Sequence, residues 1–180
     1  MYRYINVNGP DNTETNPVRQ AKETIQVGDL VFQAAPDANG NTLVKATPSI
    51  MPHEVWLAQE YPNPRNQVQW RDDTEPKDHV YQVGDRVELI ETFPRYHYKA
   101  WVNNDTGGPL TLNEGDKLTI HPTVPGKLKV LTTPVDTTIS GLAELNNVIF
   151  LVSYETSGDG TTRYIADTEN GLVFVKRVGG

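Results

Sequence analysis

No window of eleven or more residues keeps apolar positions at helical spacing, whereas period-two alternation and short apolar runs recur along the whole chain. The pattern predicts strands. "DLVFQAA" from Asp29 reads as a strand, "PDANGN" as a turn and "TLVKAT" as the return strand, a hairpin over residues 29–47. "EVWLAQ" (Glu54 to Gln59) is a further strand, followed by "RVELIE" at Arg86, "YHYKAWV" at Tyr96, "KLTIH" at Lys117 and "KLKVL" at Lys127. In the last of these, Lys127, Lys129 and Leu131 share one face, and Leu128 and Val130 share the other. "VIFLVSYE", "TTRYIAD" and "LVFVKRV" supply the C-terminal strands, separated by "TSGDG" and "ENG" turns. Ten or more short strands at this spacing predict an all-β fold, a sandwich or small antiparallel β-barrel.

Two stretches stand apart from the alternation. Residues 1–24 hold an apolar run at Tyr2, Tyr4, Ile5 and Val7 that reads as a short first strand, then a polar segment broken by Gly9-Pro10 and Asn16-Pro17. They read as an extended N-terminal arm. Residues 25–180 then read as a single β-barrel domain, with a polar, proline-punctuated excursion over 60–79 that is long for a loop inside a compact domain.

One short motif recurs. "QVGDLV" begins at Gln26, "QVGDRV" at Gln82 and "NEGDKL" at Asn113, so Gly28-Asp29, Gly84-Asp85 and Gly115-Asp116 each precede a strand. Glycine takes a backbone conformation that other residues resist, and aspartate accepts hydrogen bonds from nearby amides. All three are expected to be structural turns that open a strand. Their unequal separations, 56 and 31 residues, exclude a solenoid repeat.

Composition sharpens this picture. Among 180 residues, 14 are Gly and 13 Pro, and hydrophobic residues make up 37%, which suits many short elements joined by turns. A net charge of −7 argues against a surface that neutralises phosphates, so no nucleic-acid partner is expected. The absence of cysteine removes disulfides, zinc–thiolate sites and thiol nucleophiles together. The longest apolar run, Val148 to Val152, is far too short to span a bilayer, and the first twenty residues lack an apolar core of signal-peptide length. Neither membrane insertion nor secretion by a standard signal is expected.

Candidate chemistry is sparse. His53, His79, His97 and His121 have no ligand spacing, so no metal is expected, and the Asp-containing turns "NNDTGG" at Asn103 and "SGDG" at Ser157 do not match a calcium loop. No nucleophile elbow, phosphate-binding loop or metalloprotease helix is present. The chain is therefore not expected to be an enzyme or to carry a cofactor. Aromatic residues concentrate in its middle: Trp56, Tyr61, Trp70, Tyr96, Tyr98 and Trp101. Tyr96 and Tyr98 have the parity of one strand face, and Trp70, beside Arg71, lies in the excursion. Tyr61, Trp70, Arg71, Tyr96 and Tyr98 are the candidate partner-contact residues, because large rings offer contact area at low entropy cost.

The run "VGDRVELIETFPRYHYKAWVNNDTGGPLTLNEGDKLTIHPTVPGKLKV", residues 83–130, resembles the capsid decoration (cement) proteins of tailed bacteriophages. The shared pattern is a Gly-Asp strand, a turn, a strand carrying an alanine, a second Gly-Asp strand and a "GKLKV" strand. "GDLVFQAAPDANGNTLVKAT" upstream and "LVSYETSGDGTTRYIADTENGLVFVKRV" downstream are similar to the opening hairpin and closing strands of such proteins. The resemblance implies a β-barrel or β-tulip-like module, often homo-oligomeric, on the outside of a capsid shell. Its partners would be the major capsid protein and copies of itself, and it would be made in the host cytoplasm and end in the virion. It carries over no catalytic residue. The rival expectation is a carbohydrate-binding β-barrel that stacks sugars on the exposed aromatic residues.

Overall fold

The structure, a computed structural model, describes residues 18–49, 54–59, 80–94, 96–131, 148–153, 163–165 and 169–178. These contain fourteen strands and no α-helix. In chain order they are β1 (Val18–Gln20), β2 (Ile25–Gln26), β3 (Leu30–Gln33), β4 (Leu43–Lys45), β5 (Trp56–Gln59), β6 (Val80–Tyr81), β7 (Arg86–Glu91), β8 (His97–Asn103), β9 (Leu110–Leu112), β10 (Lys117–Ile120), β11 (Leu128–Val130), β12 (Phe150–Val152), β13 (Arg163–Ile165) and β14 (Asn170–Arg177).

The strands sort into two sheets of five and two short ribbons. The first sheet runs β1-β7-β5-β3-β4. Its ends meet where Ala21, just after β1, bridges Leu43 in parallel, and the Lys22 N–H reaches the Leu43 carbonyl at 2.8 Å. The second sheet closes as β10-β11-β8-β14-β12, again with one parallel join, β11 to β8 at Leu128 and Val102. Ribbon β2-β6 accompanies the first sheet in sequence and ribbon β9-β13 the second. Where the sequence pattern leads to one barrel, the described strands make two, and a single apolar cluster runs through both.

The two barrels have the same wiring. Strands β1 to β7 pair among themselves as β8 to β14 do, antiparallel and parallel joins included. The registers superpose residue by residue, so Ala21 corresponds to Val102, Leu43 to Leu128, Leu57 to Leu151 and Val87 to Val173. In chain order the first and third Gly-Asp turns are counterparts, Gly28 with Gly115, which is why spacings of 56 and 31 concealed the repeat.

Each barrel fills its interior from alternate strand positions. In β8 the inward residues are Tyr98, Ala100 and Val102, and in β14 they are Gly171, Val173 and Val175. Trp101 and Leu172 lie at outward positions of these strands yet are also buried. Something outside the second barrel must cover them.

Of the arm expected over residues 1–24, residues 1–17 lie outside the described residues, while Val18–Gln20 pair with β7 and Ala21 is fully buried, so that stretch belongs to the first sheet. Three residues, two of them polar, are too few to display alternation. The strand expected at Tyr2 to Val7 and the excursion at 60–79 lie outside the described residues.

Candidate functional site

Each Gly-Asp motif folds into the same turn. Gly28, Gly84 and Gly115 have φ of +93°, +88° and +89°, a region that L side chains resist. The aspartate reaches back to cap the turn: Asp29 Oδ2 accepts the Gln26 N–H at 2.9 Å, Asp85 Oδ2 the Gln82 N–H at 2.7 Å and Asp116 Oδ2 the Asn113 N–H at 2.8 Å. The turn then clamps a neighbouring segment with two backbone bonds. Gly28 N–H donates to the Ala58 carbonyl and Ala58 N–H to the Asp29 carbonyl, at 2.8 and 2.9 Å. Gly115 and Asp116 hold Val152 in the same way, and Gly84 and Asp85 hold Ala21. The chain therefore uses this motif three times to tie strand starts to a second strand or its end.

Among the described residues, only the first of the three also meets the other barrel. The Trp101 indole N–H donates to the Val27 carbonyl at 2.7 Å, and the Trp101 backbone N–H donates to Gly28 at 3.3 Å. A methyl group placed on Gly28 would lie 3.0 Å from the Trp101 ring and 3.1 Å from Leu172. This turn is the cover over the two outward apolar residues of the second barrel. Leu30 N–H donates to the Gly126 carbonyl at 2.8 Å, joining β3 to the turn before β11.

A buried ion pair completes the junction. Lys127 Nζ lies 2.5 Å from Asp29 Oδ1, donates to Gln26 Oε1 at 3.0 Å and sits 5.1 Å above the Trp101 ring. Burial pushes the Asp29 carboxyl above its ordinary value, opposed by Lys127 and the Gln26 N–H. Burial likewise lowers the Lys127 ammonium, opposed by Asp29. Each charge is held in place by the other, so this arrangement fixes the docking geometry of two barrels and offers no open position for a substrate.

The candidate partner-contact residues divide. Tyr61, Trp70 and Arg71 lie outside the described residues. Tyr96 is exposed. Tyr98 is fully buried, with its hydroxyl accepting the Phe93 N–H at 2.9 Å, so its ring is not available to a partner. The shared parity of the two tyrosines misleads because β8 begins at His97 and Tyr96 precedes it. Phe93, on the same connection between β7 and β8, is exposed with Tyr96, and Val83 at the tip of the second Gly-Asp turn is 57% exposed.

The first barrel carries an open hollow of about 330 Å³ lined by Arg19, Gln20, Gln33, Gly40, Thr42 and Arg86. Arg86, paired with Gln20 on the outward face of β1 and β7, brings positive charge to it in a protein of net charge −7. No signal in the sequence marks the hollow, since it joins three separated segments. Among the described residues, no three His, Asp or Glu side chains converge as metal ligands. No family model matches the chain, and no curated protein matches it.

Proposed function

We propose that this chain is a structural virion protein that binds the outside of a phage capsid shell and stabilises contacts between capsomers. The observation that carries the reading is where the decoration-protein pattern falls. Its Gly-Asp pairs, its alanine and its "GKLKV" run occupy the turns at Gly84 and Gly115, the inward position Ala100 of β8, and the Gly126 to Val130 segment that meets the first barrel. The pattern is thus spent on building and joining barrels, which suits a rigid module whose loops and outer faces make contacts. The exposed Phe93 and Tyr96 on one connection supply an apolar contact point of that kind. The carbohydrate reading is weaker, because burial of Tyr98 removes one of the two rings that would have formed a stacking pair.

The test is sedimentation of the purified chain with empty shells assembled from the major capsid protein of the phage proposed to carry it. The expected result is co-sedimentation at a fixed copy number per capsomer, with shells that resist heat or dilution better than bare ones. A chain that stays in the supernatant and instead labels specific glycans on an array would overturn the proposal in favour of the sugar-binding module.

A further inference from the structure

The shared wiring of the barrels assigns a counterpart to each part of the junction. The plug is Gln26–Asp29, and its counterpart in the second barrel is Asn113–Asp116, with the same φ, the same aspartate cap and the same clamp on the strand alongside. The socket comprises Trp101, Leu172 and Lys127. Through the registers of the two barrels these correspond to Gln20, Arg86 and Thr42 of the first. Those three residues line the open hollow, together with Arg19, Gln33 and Gly40. The hollow is therefore the first barrel's own version of the socket.

Among the described residues, one plug and one socket are joined. The others are on the surface: Asn113, Glu114 and Gly115 are exposed, as are Gln20 and Arg86, and a methyl group added to Gly115 would meet nothing within 4 Å. Their chemistry has changed in step. Val27 of the buried plug is replaced by Glu114, and Leu172 of the buried socket by Arg86. The apolar pair inside the chain has become an acidic plug and a basic socket outside it. Asp116 adds to the acidic side, since its Oδ2 caps the turn and its Oδ1 is the oxygen that in Asp29 meets Lys127.

We propose that the Asn113–Asp116 turn of one copy docks in the Gln20/Arg86 hollow of a second copy, repeating between chains the join made within each chain. The contact is heterologous, head to tail, so successive copies extend into a ring or a row. Complementary charge sets the direction of docking and makes the contact sensitive to salt. The polar character of both surfaces suits a reversible contact that lets the separate chain remain soluble, whereas the apolar junction inside the chain is permanent. This inference does not rest on the capsid reading and stands or falls separately from it.

Two sets of variants test it on the full chain. By sedimentation velocity, the wild type is expected to associate increasingly with concentration. Arg86→Glu and Glu114→Lys should each abolish association, the double variant should restore it, and raised salt should weaken the wild type. Because the sequence contains no cysteine, Gln20→Cys with Glu114→Cys introduces a unique pair at positions whose counterparts, Trp101 and Val27, are hydrogen-bonded. Oxidation of that chain should give a ladder of covalent dimers, trimers and higher species, while either single cysteine should stop at dimer or below. Both substituted pairs are exposed, and circular dichroism with thermal melting checks that each variant folds. A wild type that stays monomeric at all concentrations, a double-cysteine chain that yields only monomer or an internal cross-link, or an association unaffected by Arg86→Glu would overturn the proposal.

Discussion

The turns at Gln26–Asp29 and Asn113–Asp116 have the same backbone conformation, the same aspartate cap and the same pair of bonds to a neighbouring strand. Their surroundings differ. Gly28 is packed against Trp101 and Leu172, and Asp29 against Lys127, while the space beside Gly115 is open. The comparison separates two uses of one motif. Opening a strand requires only local chemistry, a glycine with positive φ and an aspartate one residue later. Joining two barrels requires in addition an apolar carbonyl-facing pocket and a buried counter-charge on the other partner, and only the first turn has them.

The largest expected effect of breaking this asymmetry is at Lys127. Lys127→Met leaves Asp29 buried and unpaired, and losing one partner of a buried pair costs about 3–5 kcal/mol. Chemical denaturation should show that loss. Adding Asp29→Asn, which keeps an oxygen to cap the turn, should recover much of it. A loss that the second substitution does not relieve would mean that Lys127 acts through packing alone.

Trp101→Phe is expected to cost about 1–3 kcal/mol, because the Val27 carbonyl loses its indole donor in a buried setting. The loss should appear as faster amide exchange at both Val27 and β8, since the bond joins the barrels. Protection lost in one barrel only would show that the junction does not couple them.

The smallest effect concerns the turn between β10 and β11. His121 Nδ1 accepts the Thr123 and Val124 N–H groups at 3.2 and 3.0 Å, which requires a neutral ring carrying its proton on Nε2, 3.1 Å from Asp105 Oδ2. Burial, aided by Lys129 and opposed by Asp105, holds its pKa below the ordinary 6.5. The folded state thus stays neutral where the unfolded chain protonates. The stability that neutral His121 contributes is fully present above pH 6.5 and is lost as pH falls from there towards the lowered folded value. Comparing melting temperatures at pH 7.5 and 5.5, the wild type should lose more than His121→Asn, whose amide oxygen can still accept one of those N–H groups. Equal losses would place the titration elsewhere.

How much of this was readable in the sequence depended on whether the signal was local. β7 matches its predicted span at both ends because "RVELIE" sits between a Gly-Asp turn and the break at Thr92-Phe93-Pro94. β1, β2, β6 and β9, of two or three residues each, are held by partners rather than by their own alternation, and they escaped notice. The duplication was hidden because the offset between counterparts runs from 81 residues at Ala21 and Val102 to 94 at Leu57 and Leu151. Asp29 and Lys127 lie 98 residues apart, so no local pattern could pair them. One trace of the junction did exist in the sequence: Trp101 interrupts the alternation of β8 between Ala100 and Val102, an outward aromatic that needs a cover.

The central claim, that one of two like turns joins the barrels and the other does not, is tested most directly by placing the same methyl group on each. Gly115→Ala meets open space and should cost about 1 kcal/mol for its positive φ alone. Gly28→Ala carries that cost and also presses on Trp101 and Leu172, adding about 1–3 kcal/mol of overpacking. Urea unfolding of the two variants should therefore place Gly28→Ala well below Gly115→Ala, with Gly84→Ala, whose surroundings are also open, beside the latter. Equal losses at Gly28 and Gly115 would contradict the account.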